Sequence, residues 1–396
     1  ITPAATGGDV VAVVNSASGA LTVVNIAGNV TATGAGVLSL TAATTTGLVS
    51  ATAAGNLTIV SATDALSVSA NSTGGNLTIT DSDAALLIDA TASGNVTLSD
   101  SAAGTDINVT AGGNASITDS GAGDINVTAG GTITIAQTAG VGATSATLSG
   151  TGASTITANS LATLTISGNG AAATYTMADD EHAALATVNV SGDQNVTLVV
   201  EGDEIDGVLT VNDTGSGTFT LDVGAATGNV DLSGGSVVDQ LNINVDLAAD
   251  DLTVATGQNV TYTVDQATAS DIVVGAAAAA ASNTLTVTLD DEVTNGAAVD
   301  LADLSIKQVK TVTVNAAADA STDGTKSNLT SLAVTANNAD LTIAGGANGV
   351  TLTTGITVGA AGAYGDVTFT GSGALTHGAV TANVVTYDAS AMTGAV

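Results

Sequence analysis

Aspartate residues recur at a regular step in the first third of the chain. Asp81, Asp100 and Asp119 are equally spaced, and each lies inside a Thr/Ser-Asp-Ser triplet. Asp106 and Asp124 form a second series with nearly the same step. Carboxylates held side by side repel each other, and a hard cation such as Ca²⁺ relieves that repulsion. The spacing therefore predicts calcium at these aspartates; the alternative is that they are turn residues whose carboxylates face water.

One loop resembles the first half of an EF-hand calcium loop. Asp319, Ser321 and Asp323 occupy positions 1, 3 and 5, and Gly324 occupies position 6. Position 12 is Thr330, where an EF-hand has a bidentate Glu. The loop is therefore predicted to bind calcium or, alternatively, to be a polar hairpin turn. Two weaker acidic clusters complete the predicted metal ligands: Asp203 and Asp206, and Asp290 and Asp291.

A short phrase recurs at nearly the same step as the aspartates. It consists of Gly, Asn, an apolar residue, Thr or Ser, and a second apolar residue, and it occupies residues 55–59, 75–79, 94–98 and 113–117. Residues 106–113 are repeated without change as residues 124–131. Apolar residues alternate with Thr, Ser and Asn within and between these phrases, which is the two-residue period of a β-strand.

These repeats predict an all-β fold, a parallel β-solenoid with about 18–20 residues per coil in the N-terminal part. A single such strand cannot bury its apolar face, whereas stacked coils bury it as a continuous core. Residues one coil apart then lie about 4.8 Å apart, so that the aspartates form columns. Tandem β-sandwich domains are the alternative, because they also consist of short alternating strands.

The repeat becomes less regular after about residue 140, which suggests three segments. We predict a regular β-solenoid over residues 1–145, a less regular solenoid or β-rich domain over 146–299, and a C-terminal β-rich segment over 300–396. From residue 187 onward the strand period lengthens to about 25–30 residues. Residues 177–187 and 300–310 are weak candidates for helical turns.

Composition excludes several classes of function. The chain has 36 acidic residues against three Lys and no Arg, for a net charge of −33. Nucleic acid binding needs a basic surface, so it is excluded. There is no Cys, which excludes disulfides and cysteine-ligated metals. The longest apolar run covers only residues 272–281, whereas a membrane span needs about 20 residues. The 44% of apolar residues argues against a disordered chain.

The residues that commonly carry catalysis are scarce. His182 and His377 are the only histidines and lie far apart in the chain, so no Ser-His-Asp set is indicated and we predict that the protein is not an enzyme. Thr58, Thr78 and Thr97 recur at almost equal steps and would stack on an outward face. A flat threonine column can bind ice, although Thr also simply favours β-structure.

Three phrases resemble rungs of the large secreted S-layer proteins of Gram-negative bacteria that carry RTX calcium-binding repeats. Residues 384–394 (VVTYDASAMTG) are similar to a phrase that these proteins place before their calcium repeats. Residues 304–314 (LSIKQVKTVTV) resemble a rung opener, and residues 185–192 (LATVNVSG) resemble a third recurrent rung. The chain departs from the family in one respect, because the Gly-Gly-x-Gly-x-Asp nonapeptide is absent from its 396 residues.

The resemblance implies an extracellular, calcium-dependent protein that assembles into a sheet or fibre at the cell surface. The sequence therefore predicts a structural protein that forms a surface layer or filament, with Ca²⁺ bound at acidic turns. Its predicted partners are further copies of the chain and a cell-surface polysaccharide. The alternatives are an adhesin stalk or biofilm matrix protein, and an ice-binding solenoid.

Overall fold

A computed structural model describes most of the chain. The described residues are 8–24, 26–43, 45–103, 106–118, 123–137, 143–158, 160–168, 170–177, 185–201, 208–225, 228–247, 250–275, 282–290, 299–316, 327–335, 338–359, 365–381 and 383–396. Within these residues every regular element is a β-strand, 35 in all, and no helix occurs. The chain divides into two compact units, unit 1 with Ile1–Val196 and Thr214–Gly217, and unit 2 with Thr197–Asp213 and Thr218–Val396.

The first 18 strands belong to unit 1. The first nine are β1 (Val10–Val14), β2 (Ser18–Val24), β3 (Val30–Gly34), β4 (Val37–Ala43), β5 (Leu48–Ala53), β6 (Leu57–Val60), β7 (Ala65–Ser72), β8 (Leu77–Ala92) and β9 (Val96–Ala103). The next nine are β10 (Asp106–Ala111), β11 (Ala115–Thr118), β12 (Asp124–Ala129), β13 (Ile133–Ala136), β14 (Ser145–Ser149), β15 (Gly152–Thr157), β16 (Thr163–Gly168), β17 (Ala173–Met177) and β18 (Thr187–Gly192).

The remaining strands lie in unit 2, apart from the first residue of β19. They begin with β19 (Val196–Glu201), β20 (Val208–Asp213), β21 (Phe219–Ala225), β22 (Val230–Gly235), β23 (Gln240–Ile243), β24 (Leu252–Val254), β25 (Asn259–Tyr262), β26 (Ser270–Val274) and β27 (Thr284–Leu289). They end with β28 (Leu301–Lys307), β29 (Thr311–Ala316), β30 (Ser327–Val334), β31 (Asp340–Gly345), β32 (Val350–Val358), β33 (Gly365–Gly371), β34 (Leu375–Val380) and β35 (Val384–Met392).

Within each unit, a strand pairs in parallel with the strand two places along the chain. In unit 1, β2 pairs with β4 and β4 with β6, while β3 pairs with β5 and β5 with β7. Each coil thus contains two strand segments. The long strand β8 forms both segments of its coil, because its first half pairs with β6 and its second half pairs with β7. This stacking of parallel coils confirms the predicted β-solenoid and excludes tandem sandwiches, whose sheets are antiparallel.

The two-residue alternation places apolar side chains inside each coil. In β6, Leu57 and Ile59 are buried and Thr58 and Val60 are half-buried on the outer side. The same pattern in each neighbouring coil stacks leucine, isoleucine, valine and alanine into one continuous interior. Among the described aromatic side chains, Tyr175, Tyr262, Phe219 and Phe369 are fully buried, whereas Tyr387 is exposed.

Coil length differs along the chain. From β1 to β13 the step between paired residues stays close to the predicted length, for example from Leu57 to Leu77. For the pairs that begin at β25 to β29 the step is 27–34 residues, as in Asn259–Thr286 and Ser270–Leu304, so the predicted lengthening is confirmed there. It is wrong for the pairs that begin at β20 to β24, where the step stays at 19–24 residues, and between β33 and β35, where the step is 19–21 residues. The three predicted segments stay predictions.

The structure contradicts one of the two weak helical candidates. Residues 300–310 do not form a helical turn, because this segment contains β28, which pairs with β26 and β30. Pairing with two distant strands satisfies its backbone groups on both sides, which a local helical turn cannot do. Residues 178–184 of the other candidate lie outside the described part.

Candidate functional site

The structure places Asp81 and Asp100, two members of the first aspartate series, at one corner of the unit 1 coils. Residue pairs Thr80–Ser99 and Ser82–Ser101 are in register between β8 and β9. These pairs flank Asp81 and Asp100, which therefore occupy equivalent positions in successive coils. Asp119, the third member of the series, lies outside the described residues.

The backbone at this corner explains why an aspartate is found there. Asp81 has a φ of +54°, and Ser61, one coil earlier, has a φ of +55°. Among residues with a side chain, Asp and Asn are the ones that most often adopt this left-handed conformation. The Ser61 hydroxyl donates a hydrogen bond to Oδ2 of Asp81 at 3.1 Å. Asp81 therefore also has a structural role, which supports the alternative of a turn aspartate exposed to water.

The second aspartate series is in register as the sequence predicts. Asp106 at the start of β10 pairs directly with Asp124 at the start of β12. On the next coil, the Ser145 hydroxyl donates to Oδ1 of Asp124 at 2.5 Å. On the other side, Asp106 pairs with Leu87. Two carboxylates thus lie on neighbouring coils, and the column ends at a hydroxyl and an apolar residue.

The other predicted ligands are mostly beyond the described residues. Asp290 follows β27, and its backbone N–H donates to the carbonyl oxygen of Tyr262 at 3.1 Å. The predicted ligands that lie outside the described part are Asp203, Asp206, Asp291, Asp319, Ser321 and Asp323. Calcium binding at all of these positions stays a prediction.

Some of the described carboxylates lie in pairs on neighbouring coils, as Asp106 and Asp124 do. In the part of the chain that the structure describes, no three His, Cys, Asp or Glu side chains are grouped closely enough to hold a metal ion. Calcium takes about six to eight oxygen ligands, including carbonyls and water. A pair such as Asp106 and Asp124 can attract a cation to the surface, and further ligands would have to come from water, carbonyls or a second molecule.

A further pair of carboxylates lies in unit 2 and was not predicted from the sequence. Asp340 at the start of β31 pairs with Asp366 in β33. Lys310 Nζ lies 2.6 Å from Oδ2 of Asp340, and Lys307 makes an ion pair with Asp271. The signal was present in the sequence, because both aspartates begin an Asp-apolar-Thr-apolar phrase, but the step between them is longer than the regular repeat.

A row of asparagine side chains was also missed, although its sequence phrase was recognised. We call Asn56, Asn76, Asn95 and Asn114 the asparagine ladder. The backbone N–H of each later member donates to Oδ1 of the member one coil earlier, at 2.8–2.9 Å. Thr132 continues the row with an N–H donated to Oδ1 of Asn114 at 3.0 Å. The ladder therefore satisfies one corner N–H group in each of four successive coils.

The glycine before Asn76, Asn95 and Asn114 has a steric cause. A Cβ atom at Gly94 would lie 2.3 Å from Oδ1 of Asn76, and one at Gly113 would lie 2.2 Å from Oδ1 of Asn95. Only a residue without a side chain leaves room for the amide of the preceding coil. The recurring Gly-Asn pair is therefore one structural unit that spans two coils.

The predicted threonine column is confirmed by the strand register. Thr58 pairs with Thr78 and Thr78 with Thr97. From β4 to β13 this column contains Ser39, Thr58, Thr78, Thr97, Ser116 and Thr134. A second outward column two residues along contains Thr80, Ser99 and Thr118. We call the outward side of β4, β6, residues 77–80 of β8, residues 96–99 of β9, β11 and β13 the threonine face.

The carboxyl group of Asp222 in unit 2 is partly buried and hydrogen-bonded to amide side chains. Asp222 accepts a hydrogen bond from Nδ2 of Asn242 at 2.7 Å, and Thr263 donates to Oδ1 of the neighbouring Asn244. Burial raises the pKa of the Asp222 carboxyl, and the hydrogen bonds from Asn242 and Asn244 oppose part of that rise.

His377, the one described histidine, is held by its neighbours. Its Nδ1 atom lies 2.7 Å from the Gly378 carbonyl oxygen, which can only accept a hydrogen bond, so Nδ1 carries a proton. Its Nε2 atom lies 2.7 Å from the Tyr387 hydroxyl, and its ring stacks on Phe369 at 5.7 Å. These contacts assign His377 a packing role between β33, β34 and β35.

Comparison with known proteins adds no further assignment. The chain matches no protein-family model, and no curated protein or solved structure is significantly similar to it. Among the described residues, no helix is long and apolar enough to cross a bilayer. The parallel β-solenoid therefore rests on the sequence repeat and the strand pairing alone.

Proposed function

We propose that this chain is a structural protein of the cell surface or extracellular space, which assembles with further copies into a layer or filament and uses Ca²⁺ to join its acidic surfaces. The observation that carries the proposal is the register of carboxylates on neighbouring coils. Asp106 lies beside Asp124 in unit 1, and Asp340 lies beside Asp366 in unit 2.

The charge balance of the chain supports a role for cations from solution. The net charge is −33, and the chain supplies only three lysines against it. Lys307 and Lys310 already make ion pairs with Asp271 and Asp340. Like charges of this number keep free copies apart, and a bound divalent cation both removes the repulsion and links two carboxylate surfaces.

The three phrases that resemble S-layer rungs are consistent with this proposal. Residues 185–192 contain β18, residues 304–314 cover the end of β28 and most of β29, and residues 384–394 contain β35. Each phrase therefore builds a strand of the solenoid. The extracellular location and the polysaccharide partner rest on the resemblance and belong to the same proposal.

A calcium titration of the purified chain tests the proposal. We expect sheets or fibres in negative-stain electron microscopy at up to about 5 mM Ca²⁺, above the range of extracellular calcium modules, and their loss in EGTA. NaCl at matched ionic strength is the control for charge screening. If NaCl produces the same arrays, calcium does not link the copies. If the chain remains a monomer with Ca²⁺, the assembly proposal is wrong and the adhesin stalk is favoured.

A matched pair of variants tests the carboxylate register. Asp124→Asn removes one member of the Asp106–Asp124 pair, whereas Asp89→Asn removes a carboxylate whose stacked neighbours are Ser69 and Asn108. Both variants change the net charge equally. We expect Asp124→Asn to raise the calcium concentration needed for assembly more than Asp89→Asn does. Equal shifts would mean that the register of the pair is irrelevant.

The ice-binding alternative is favoured by one observation, the two outward columns of the threonine face in register. An ice-binding protein would show thermal hysteresis as a monomer, without calcium. Measurement of the freezing and melting points of a solution of the monomer separates this function from calcium-dependent assembly.

A further inference from the structure

The threonine face is an uncharged surface on a strongly acidic protein. Over its described strand segments the outward side chains are Thr, Ser, Val and Ala, and none is charged. Neighbouring strands are about 4.8 Å apart, and alternate residues along a strand are about 6.6 Å apart. The face is thus a regular grid of short side chains that another surface can approach without meeting a carboxylate.

The asparagine ladder forms one edge of the threonine face. Asn56, Asn76, Asn95 and Asn114 are exposed and each immediately precedes a strand of the face. The Oδ1 atom of each ladder residue accepts the N–H of the next coil. The Oδ1 acceptor of each ladder asparagine therefore points along the stacking direction of the coils, and its Nδ2 group supplies two N–H donors. This edge of the threonine face is a row of hydrogen-bond donors.

Carboxylates form the opposite edge of the same face. The strand segments end at the corner that carries Asp81, and Asp64 and Asp83 are further exposed carboxylates at this corner. The register places Asp100 on the coil next to Asp81. One edge of the threonine face thus supplies N–H donors and the other supplies negatively charged acceptors.

We propose that the threonine face of unit 1 binds the same face of a second copy of this chain, with the two solenoids side by side and pointing in the same direction. A two-fold axis along the stacking direction reverses the strand direction between the copies. It therefore places the asparagine edge of each copy opposite the aspartate edge of the other. The interface uses the same patch twice, as a two-fold interface requires, and joins amide donors to carboxylates.

The geometry selects this arrangement over the alternative pairing. A two-fold axis along the strands would place aspartate edge against aspartate edge, which is repulsive. The periodicity also favours a second copy as the occupant, because another solenoid of this chain repeats at the same coil spacing and stays in register over many coils. The proposal rests on the proposed function and adds the surface through which copies pair.

Glutamate substitutions on the two faces test the interface. Thr97→Glu with Thr134→Glu puts charges on the threonine face two coils apart, and Thr91→Glu with Thr128→Glu does the same on the opposite face. Association is measured by sedimentation equilibrium in about 1 M NaCl without calcium, where the Debye length is about 3 Å. We expect the first variant to raise the dimer Kd at least about tenfold and the second to leave it unchanged.

Removal of the edge carboxylates distinguishes the proposed pairing from simple charge repulsion, because the two predict opposite changes in the strength of association. Asp81→Asn with Asp83→Asn lowers the negative charge but removes the acceptors for the asparagine edge of the partner, and Asn suits the left-handed backbone at residue 81. We expect weaker association than in the wild type. Tighter association would show that the carboxylates only repel, and would overturn the proposed pairing. Circular dichroism establishes that each variant is folded.

Spin labels determine the relative direction of the two solenoids. The chain has no native cysteine, so Thr33→Cys and Thr128→Cys each provide one label, on coils far apart along the same outward column of the opposite face. We expect equal label-to-label distances at the two positions. Clearly different distances would indicate oppositely directed solenoids and overturn the arrangement.

The outcomes separate this interface from the proposed function. Calcium-dependent arrays that form equally well in the wild type and in the Thr97→Glu, Thr134→Glu variant would leave the function standing and overturn the interface. A wild-type chain that stays monomeric with salt and with calcium would overturn both. Thermal hysteresis that the monomer shows and this variant loses would assign the face to ice instead of a second copy.

Discussion

In two regions of the molecule, different side chains supply the hydrogen-bond partners of the backbone groups at the corners of the coils. In the region of β6–β13 in unit 1, the asparagine ladder uses one exposed amide per coil, at a nearly constant step. In the region of β23–β29 in unit 2, buried side-chain amides at unrelated positions form the hydrogen bonds with the corner backbone groups. Gln258, Gln266 and Asn283 are 3%, 3% and 1% exposed and bond backbone groups of neighbouring coils.

The two regions also differ in how regular their coil lengths are. Where coils are equal, one residue type at one position serves every coil, since each amide finds the same neighbour one step along. Where coils differ, as between the short coil from Leu241 to Val260 and the long one from Ser270 to Leu304, each corner has its own shape. Individual buried Gln and Asn side chains then bond backbone groups of the neighbouring coils.

The largest effect is expected from Gln266→Leu in unit 2. Gln266 accepts the N–H of Leu247 at 2.9 Å and donates to the Val245 carbonyl at 2.8 Å. Leucine fills the space but leaves both groups unsatisfied, so we expect a loss of about 2–4 kcal/mol in the free energy of unfolding. Urea denaturation measures the loss, and one below about 1 kcal/mol would show that water reaches this corner.

A smaller loss is expected from Gly94→Ala in unit 1. The added methyl group would lie 2.3 Å from Oδ1 of Asn76, so the ladder amide must move and lose its bond to the next coil. We expect a loss of about 1–3 kcal/mol. Gly345→Ala in unit 2 is the control, since its nearest neighbours would be 3.8 and 3.9 Å away. Equal losses at both positions would contradict the steric role of glycine in the ladder.

Loss of a single ladder amide should cost less than either change. Asn95→Ala removes the acceptor for the N–H of Asn114, which is exposed enough to bond water instead. We expect a loss of about 1 kcal/mol and faster hydrogen exchange at the Asn114 amide. Asn95→Asp retains an acceptor oxygen and is the control that should keep this amide protected. Equal exchange in both variants would show that the side chain does not bond this N–H.

The smallest expected effect is a pH dependence of the stability of unit 2, which arises from the Asp222 carboxyl group. The amides of the asparagine ladder do not titrate and give no such dependence. Burial raises the pKa of Asp222 in the folded state, so this group stabilises the fold below its unfolded pKa, and the stabilisation is lost as the pH rises through the folded value. We expect the stability of the wild type relative to Asp222→Asn to increase as the pH is lowered from 7 towards 4. A difference that stays constant over this range would rule out the effect.

Much of unit 1 was predictable from the sequence because its coils are equal. The nearly constant step predicted the register of Asp106 with Asp124 and of Thr58 with Thr78, and both are confirmed. The bonds of the asparagine ladder were not predicted, because a repeated Gly-Asn pair is also typical of ordinary turns. Whether an amide faces solvent or the next coil depends on the twist of the corner, which the pattern does not encode.

Unit 2 was predicted less well for the same physical reason. The segment at residues 300–310 has spaced apolar residues that fit a helix, yet it forms β28 and pairs with β26 and β30, which are both distant in the chain. Local pattern cannot choose between helix and strand when the partners are so far away. The pair Asp340 and Asp366 was missed because the step between them is longer than the repeat that the N-terminal phrases reveal.

The sequence by itself determined the all-β class, the parallel stacking of coils and the strongly acidic character of the chain. These features follow from the two-residue alternation, from equal steps between similar phrases and from composition, each of which is a local or additive property. Only the tertiary structure decided which corner atoms bond between coils, which carboxylates become neighbours in unit 2 and which buried amides bond the backbone of a neighbouring coil. These depend on where distant strands meet in space, and coils of unequal length leave no periodic trace of that meeting in the chain.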